Sequence, residues 1–299
     1  MHRFCGFAPA VIFTLLLALD HRVAAEDLKA SAPVDLLLVA GQSNAVGYDA
    51  LPRDLPADAA DKEVMFWWRC GDPPPDEFDS TSGGQWSFLR PQPQGHPKLP
   101  KQARQYGNFR TPEGGFGPEM GFARALHAAR PGRLAVVKAA FSGTGMSTDW
   151  NPQDQGAGGS CYRALVSETL AAMAAAKAQG IMLRPRALAW VQGESDANAK
   201  NAANYEKALS AMLAALRKDL NAPELITLLA MNTRFGGGKN TFIPQIVAAQ
   251  KAIAAKDVRC MYVDTAGAAI ANGVHFDSAG TLDVGKRFAQ ALLKLESKH

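Results

Sequence analysis

Long apolar runs are scarce in this 299-residue sequence, and so are cysteine and histidine. The one extended apolar stretch, residues 7–19, is too short to cross a bilayer. It lies between a basic start (His2, Arg3) and a small-residue end, Val23-Ala24-Ala25, ahead of Glu26. That is the layout of a secretory leader over residues 1–25, which predicts an exported chain, periplasmic or released. No second run of this kind follows, which argues against an integral membrane protein. Without the leader, 274 residues remain, with 30 basic against 27 acidic side chains, three cysteines and four histidines. A net charge of +3 spread over that length, with no Lys/Arg cluster interleaved with aromatics, favours a solvated surface over a nucleic-acid patch. Three cysteines are too few for a disulfide scaffold and lack the CxxC spacing of zinc or redox sites. Cys260 falls in an apolar run and reads as a buried thiol, whereas Cys70 and Cys161, read as loop residues, are candidates for pairing in an oxidising compartment. No HExxH and no paired Cys/His set is present, so neither a metal nor a cofactor is expected.

What is present is an apolar fraction of 47% against 20% charged residues, a balance that excludes a disordered or fibrous chain. Short apolar runs at residues 34–40, 134–140, 187–191, 225–231 and 260–263 alternate with longer stretches of helical period. Nearly continuous apolar runs fit a parallel sheet covered on both faces. Residues 118–130 open on Pro-Glu and stop at Pro131-Gly132, a helix with its start and stop signals. Tyr205, Leu209, Met212, Leu213, Leu216 and Leu220 line one face of another, and Val284, Phe288, Leu292 and Leu295 repeat the pattern near the end. Five strands alternating with helices predict a three-layer α/β/α fold around a five-stranded parallel sheet, in one domain over residues 26–299.

Residues 48–116 break the alternation. They are rich in Pro, Gly, Gln and Trp, with Phe66-Trp67-Trp68, Pro73-Pro74-Pro75 and Trp86, and show no sustained period. A segment of this length is expected to be functional or disordered, and its aromatics argue against disorder. It reads either as a surface excursion packed by its own aromatics or as a wall of a substrate site, aromatic faces being suited to sugar rings.

In an open parallel sheet, ligands bind beyond the carboxyl ends of the strands. Four polar clusters follow apolar runs at that edge: Gly41-Gln42-Ser43-Asn44, Phe141-Ser142-Gly143-Thr144-Gly145, Gln192-Gly193-Glu194-Ser195-Asp196 and Asn272-Gly273-Val274-His275-Phe276-Asp277. A serine nucleophile needs a base within hydrogen-bond reach. Of the four histidines, His127 lies within a helix, His96 in a Pro/Gln loop and His299 at the last position, which leaves His275 opposite Ser43. Acyl transfer also needs donors for the developing oxyanion, and the amides of Ser43 and Gly143 and the side chain of Gln192 are the candidates. Gly236-Gly237-Gly238-Lys239 and Gly115-x-Gly117 lack the context of nucleotide-binding loops and read as turns.

These residues resemble a family. GQSN at 41–44, KAAFSGTGMSTDW at 138–150, QGESD at 192–196 and VHFDSAG at 274–280 are similar to the SGNH-hydrolase superfamily. Within it the likeness is to sialate O-acetylesterase-like proteins and carbohydrate esterase family six. The resemblance implies a flavodoxin-like fold and metal-independent removal of acetyl groups from carbohydrate, with Ser43 as nucleophile, His275 as base, and Gly143 and Gln192 completing the oxyanion hole. It predicts an exported serine esterase acting on an acetylxylan-type polysaccharide or related glycan, or alternatively a sialate O-acetylesterase. The chain departs from the pattern at Asn272, where many members carry Asp three residues before the histidine. Glu194 is then the expected orienting acid, with Asp196, Asp277 and Asp264 behind it. The same departure raises a reading of another class, a carbohydrate-binding protein on a catalytically impaired scaffold.

Overall fold

The computed structural model describes residues 1–2, 32–98 and 109–298, so the expected leader beyond its first two residues, and part of the expected insertion, lie outside it. All five apolar runs are strands: β1 (Val34–Gly41), β5 (Leu134–Phe141), β6 (Leu183–Val191), β7 (Ile226–Ala230) and β8 (Cys260–Tyr262). Every pairing among them is parallel. Taken alone they stand in the order second, first, third, fourth, fifth, the doubly wound order in which the chain reverses direction beside β1. The layers are completed by α2 (Glu119–Ala129), α3 (Ser160–Ala178), α4 (Tyr205–Asp219), α5 (Ile243–Lys256) and α6 (Ser278–Glu296). Residues Pro33–His299 form one compact unit.

The sheet is larger than the expected five strands. The segment read as aperiodic contributes β2 (Val64–Gly71), which pairs parallel with β5 beyond the edge of the basic set. Two short strands, β3 (Ser80–Thr81) and β4 (Ser87–Phe88), pair antiparallel with β2 on its outer side. The strand escaped sequence reading because both of its faces are buried, so it has no alternation, and Pro/Gly-rich turns surround it. Its aromatics are interior groups: Trp67 packs in one core and Phe66 and Trp68 in the other. Trp68 donates to Ser80 Oγ, Trp67 to Glu168 and Trp86 to the Ala172 carbonyl. They therefore do not form the aromatic wall of a sugar site.

Successive side chains of a strand face opposite ways, and β1 shows this directly. Leu36, Leu38 and Ala40 join a core with α3, α4 and α5, built around Trp150 and Trp190. Leu37 and Val39 join the opposite core, with Phe122 of α2 and Phe288 of α6. Cys70 and Cys161 lie in β2 and in the first turn of α3 rather than in loops, and they, like Cys260, are free and buried.

The β5 sequence carries one charge into this interior. Lys138 is fully buried, and its ammonium donates to Val46 O at 2.7 Å, Gln92 Oε1 at 2.6 Å and Glu119 Oε1 at 3.1 Å. All three of its donors are used. Removing one partner of such a pair leaves an uncompensated charge. Lys138→Met is expected to cost about 3–5 kcal/mol of stability. Adding Glu119→Gln is expected to return most of that loss, since the second buried charge then goes too. Denaturant unfolding of both variants checks this, and an equal loss in the two would contradict it.

Candidate active site

Beyond Gly41 the chain turns directly into a one-turn helix, α1 (Ser43–Val46). Gly41 stands opposite Ala140 of β5 and Val191 of β6, so the loops that leave all three strands meet at one place. Gly47 then ends α1 in the left-handed region, φ 82°, where a Cβ would lie 1.8 Å from Phe116 O. Its amide and that of Tyr48 both return to Ser43 O. This tight reversal brings Asp49 back beneath the serine from which the helix started.

His275 reaches the same point from the turn before α6. Its Nε2 lies 2.9 Å from Ser43 Oγ, and its Nδ1 lies 2.7 Å from Asp49 Oδ2. The Tyr48 ring covers the imidazole, with ring centres 4.9 Å apart. Serine, histidine and carboxylate thus form a continuous chain, but the carboxylate is Asp49, not Glu194. Asp49 was missed because it opens the segment without periodicity. The signal available was Gly47, which marks the reversal that carries Asp49 under Ser43.

Three donors converge on Asp49, whose side chain is only 1% exposed. Besides His275, Asn272 Nδ2 donates to Oδ2 at 2.8 Å and Arg110 Nη1 to Oδ1 at 3.1 Å. Burial by itself would raise the carboxyl pKa, but the hydrogen bonds from His275, Asn272 and Arg110 and the charge of His275 outweigh it, and the net shift is downward. Asn272 is therefore no vacant acid position. Its Oδ1 also accepts from the amides of Val274 and His275, at 2.8 and 2.9 Å, which fixes the turn that presents the histidine.

Glu194 does something else. It is almost wholly buried, and its Oε1 accepts from Asn44 Nδ2 at 2.9 Å and from the Asn232 amide at 2.8 Å. Asn44 and Asn232 both donate to Val274 O, and Asn44 Oδ1 accepts from the Phe276 amide. Glu194 thus anchors the two amides that grip the backbone on either side of His275. Burial is the main cause of its raised pKa, opposed by those hydrogen bonds and by His275, and its Oε2 has no hydrogen-bond partner among the described residues. The other acids considered lie elsewhere. Asp196 accepts from Gln192 and the Met146 amide, Asp264 from the Ala266 amide, and Asp277 caps α6 through the Gly280 amide.

Two of the three expected oxyanion donors are open. The Ser43 amide heads α1, where no preceding turn supplies an acceptor. The Gly143 amide lies in an exposed turn at φ 72°. Among the described residues neither donates to another group of the chain. Gln192 differs from expectation: its side-chain amide is buried and donates to Thr144 O at 3.1 Å and Asp196 Oδ2 at 2.6 Å. With both protons used, Gln192 braces the β6 edge against the loop after β5 and has none to offer an oxyanion.

The sequence profile of a family described as carbohydrate esterase, sialic acid-specific acetylesterase, matches residues 33–294. No curated protein is similar in sequence. Among solved structures, a protein of Arabidopsis thaliana superposes with a TM-score of 0.61 at 20% identity, over 88% of this chain and 98% of that one. NanS gives 0.57 at 19%, over 89% and 98%. A carbohydrate acetylesterase from Xanthomonas citri gives 0.57 at 16%, over 89% of this chain and 57% of its own. At these identities the structures share the fold.

Replacing Glu194 by Gln keeps an acceptor for Asn44 and Asn232 and removes a charge that burial disfavours. Esterase turnover is expected to stay within about tenfold of the parent, the scale of one rearranged hydrogen bond, about 1.4 kcal/mol. Because the folded carboxyl titrates above its unfolded value of about 4.3, parent stability declines as pH rises from there through the folded pKa. The Gln variant lacks that decline, so denaturant midpoints compared at about pH 4 and about pH 8 should shift in its favour at the higher pH.

Proposed function

The chain belongs to the carbohydrate esterase family of sialic acid-specific acetylesterases and is a carboxylic ester hydrolase; from that membership we propose that it deacetylates an extracytoplasmic glycan through an acetyl-enzyme on Ser43. The observation that carries the reading is the unbroken relay of Ser43, His275 and Asp49, with contacts of 2.9 and 2.7 Å.

In this mechanism His275 Nε2 takes the Ser43 proton as Oγ attacks the acetyl carbonyl. The oxygen that becomes negative is held by the amides of Ser43 and Gly143, both free to donate. His275 gives the proton to the departing sugar oxygen, then draws one from water as the resulting hydroxide attacks the acetyl ester, and passes it to Ser43 Oγ as the ester bond breaks and acetate leaves. Asp49 accepts from Nδ1, which keeps Nε2 as the basic nitrogen and stabilises the imidazolium that forms. The impaired-scaffold reading rested on Asn272, and Asp49 removes its reason.

The leader-like residues 1–25 support export, and among the described residues no helix is long and apolar enough to cross a membrane. An acetylated xylan-type polysaccharide is one substrate class. The family description favours a second reading, an O-acetylated sialic acid. Acetate release from a panel holding both kinds of glycan separates them.

Ser43→Ala is expected to abolish acetate release from an aryl acetate while leaving the thermal midpoint nearly unchanged. Asp49→Asn is expected to lower turnover by about 10⁴, because an amide at that place favours the wrong imidazole tautomer. Steady-state kinetics on the two purified variants tests the relay, and near-parental turnover in either would overturn it.

A further inference from the structure

We infer that Asn272 and Arg110 are positioning residues that clamp Asp49 against His275, one on each carboxylate oxygen. The inference rests on the esterase reading for its kinetic test but on geometry for its substance. Asp49 Oδ2 is shared by His275 Nδ1 at 2.7 Å and Asn272 Nδ2 at 2.8 Å. Residue 272 therefore places its amide against the same carboxylate oxygen that the imidazole binds. A carboxylate at 272 would instead oppose Asp49 at hydrogen-bond distance, and the pair would keep a proton between them.

Arg110 completes the clamp on the other oxygen. Its Nη1 binds Asp49 Oδ1 at 3.1 Å, its own amide donates to Tyr48 O at 3.1 Å, and its side chain is 58% exposed. The guanidinium thus grips a buried carboxylate from the surface. A cation there competes with His275 for the negative charge of Asp49, whereas Asn272 orients the carboxylate without charge. The other charged groups near the histidine are spoken for. Glu194 anchors Asn44 and Asn232 behind the turn, Asp277 caps α6, and Arg234 donates to the Ala268 carbonyl.

The test measures kcat/KM on an aryl acetate against pH for the full chain, with folding of each variant checked by circular dichroism. In Arg110→Gln the imidazolium keeps more of the charge of Asp49, so the acid limb is expected to move to higher pH, by about half a unit for one exposed charge removed. A merely structural arginine would lower the plateau and leave the limb in place. Asn272→Asp alone is expected to lower the plateau at least tenfold. The exchange Asp49→Asn with Asn272→Asp is expected to be at least tenfold more active than Asp49→Asn alone, since it restores one acid and one amide. An unmoved limb in Arg110→Gln, together with an exchange variant no better than Asp49→Asn, overturns the inference. The His275 imidazole resonance titrated by NMR in the parent and in Arg110→Gln gives a readout that needs no turnover. If the parent cleaves no ester, the function falls, and that titration still decides the clamp: a shifted midpoint supports it and an unshifted one overturns it.

Discussion

The arrangement at the sheet edge depends on one buried ammonium. Lys138 sits in the middle of an otherwise apolar strand, and its three acceptors come from three separate segments: the end of the turn that starts at Ser43, the insertion at Gln92 and the start of α2. A charge in that place is tolerated only with all its donors used and a counter-charge beside it. Its bond to Val46 O therefore fixes the turn that begins at Ser43 against the sheet. Through Gln92 the same group makes the insertion part of the interior. Asp49 at the start of that segment and Arg110 near its end are brought together by a chain that is itself tied to Lys138.

Two carboxylates near the histidine are set apart by their surroundings rather than by their distance from solvent. Both are buried, yet Asp49 gathers three donors and is shifted down, whereas Glu194 leaves one oxygen unpaired and is shifted up. The first is suited to remain negative beside an imidazole. The second suits a structural acceptor. Asn44, next to Ser43, links the two roles, since it is held by Glu194 and holds the backbone that carries His275.

The strands of the basic set and the serine and histidine could be read in the sequence because each signal is local: a continuous apolar run, and a polar cluster directly behind it. The acid could not be read that way. The choice of Glu194 followed strand order, which places residues at an edge but does not say which way a side chain turns once there. Asp49 owes its place to a reversal through Gly47 and to partners more than sixty residues further along the chain. Gln192 failed for a similar reason, since whether a buried amide has protons to spare depends on Thr144, Asp196 and Tyr205 around it. Strand β2 lacked alternation because both its faces are covered, and a strand of that kind announces itself only when a neighbour is known.

The three thiols buried in the fold carry a consequence for how the molecule meets its surroundings. Burial raises Cys70 to about 12 and Cys260 to about 11, and pushes Cys161 up as well. At neutral pH almost no thiolate exists at these three positions, so oxidants and alkylating reagents find no nucleophile among them in the folded chain. With these three thiols free, none of them ties the fold to an oxidising compartment. The thiols respond only when the structure opens, and they stand at three different places: on the strand added by the insertion, at the head of α3, and on the far edge strand. Labelling of each therefore clocks the opening of its own region, and the molecule carries a built-in report of the order in which its parts come undone.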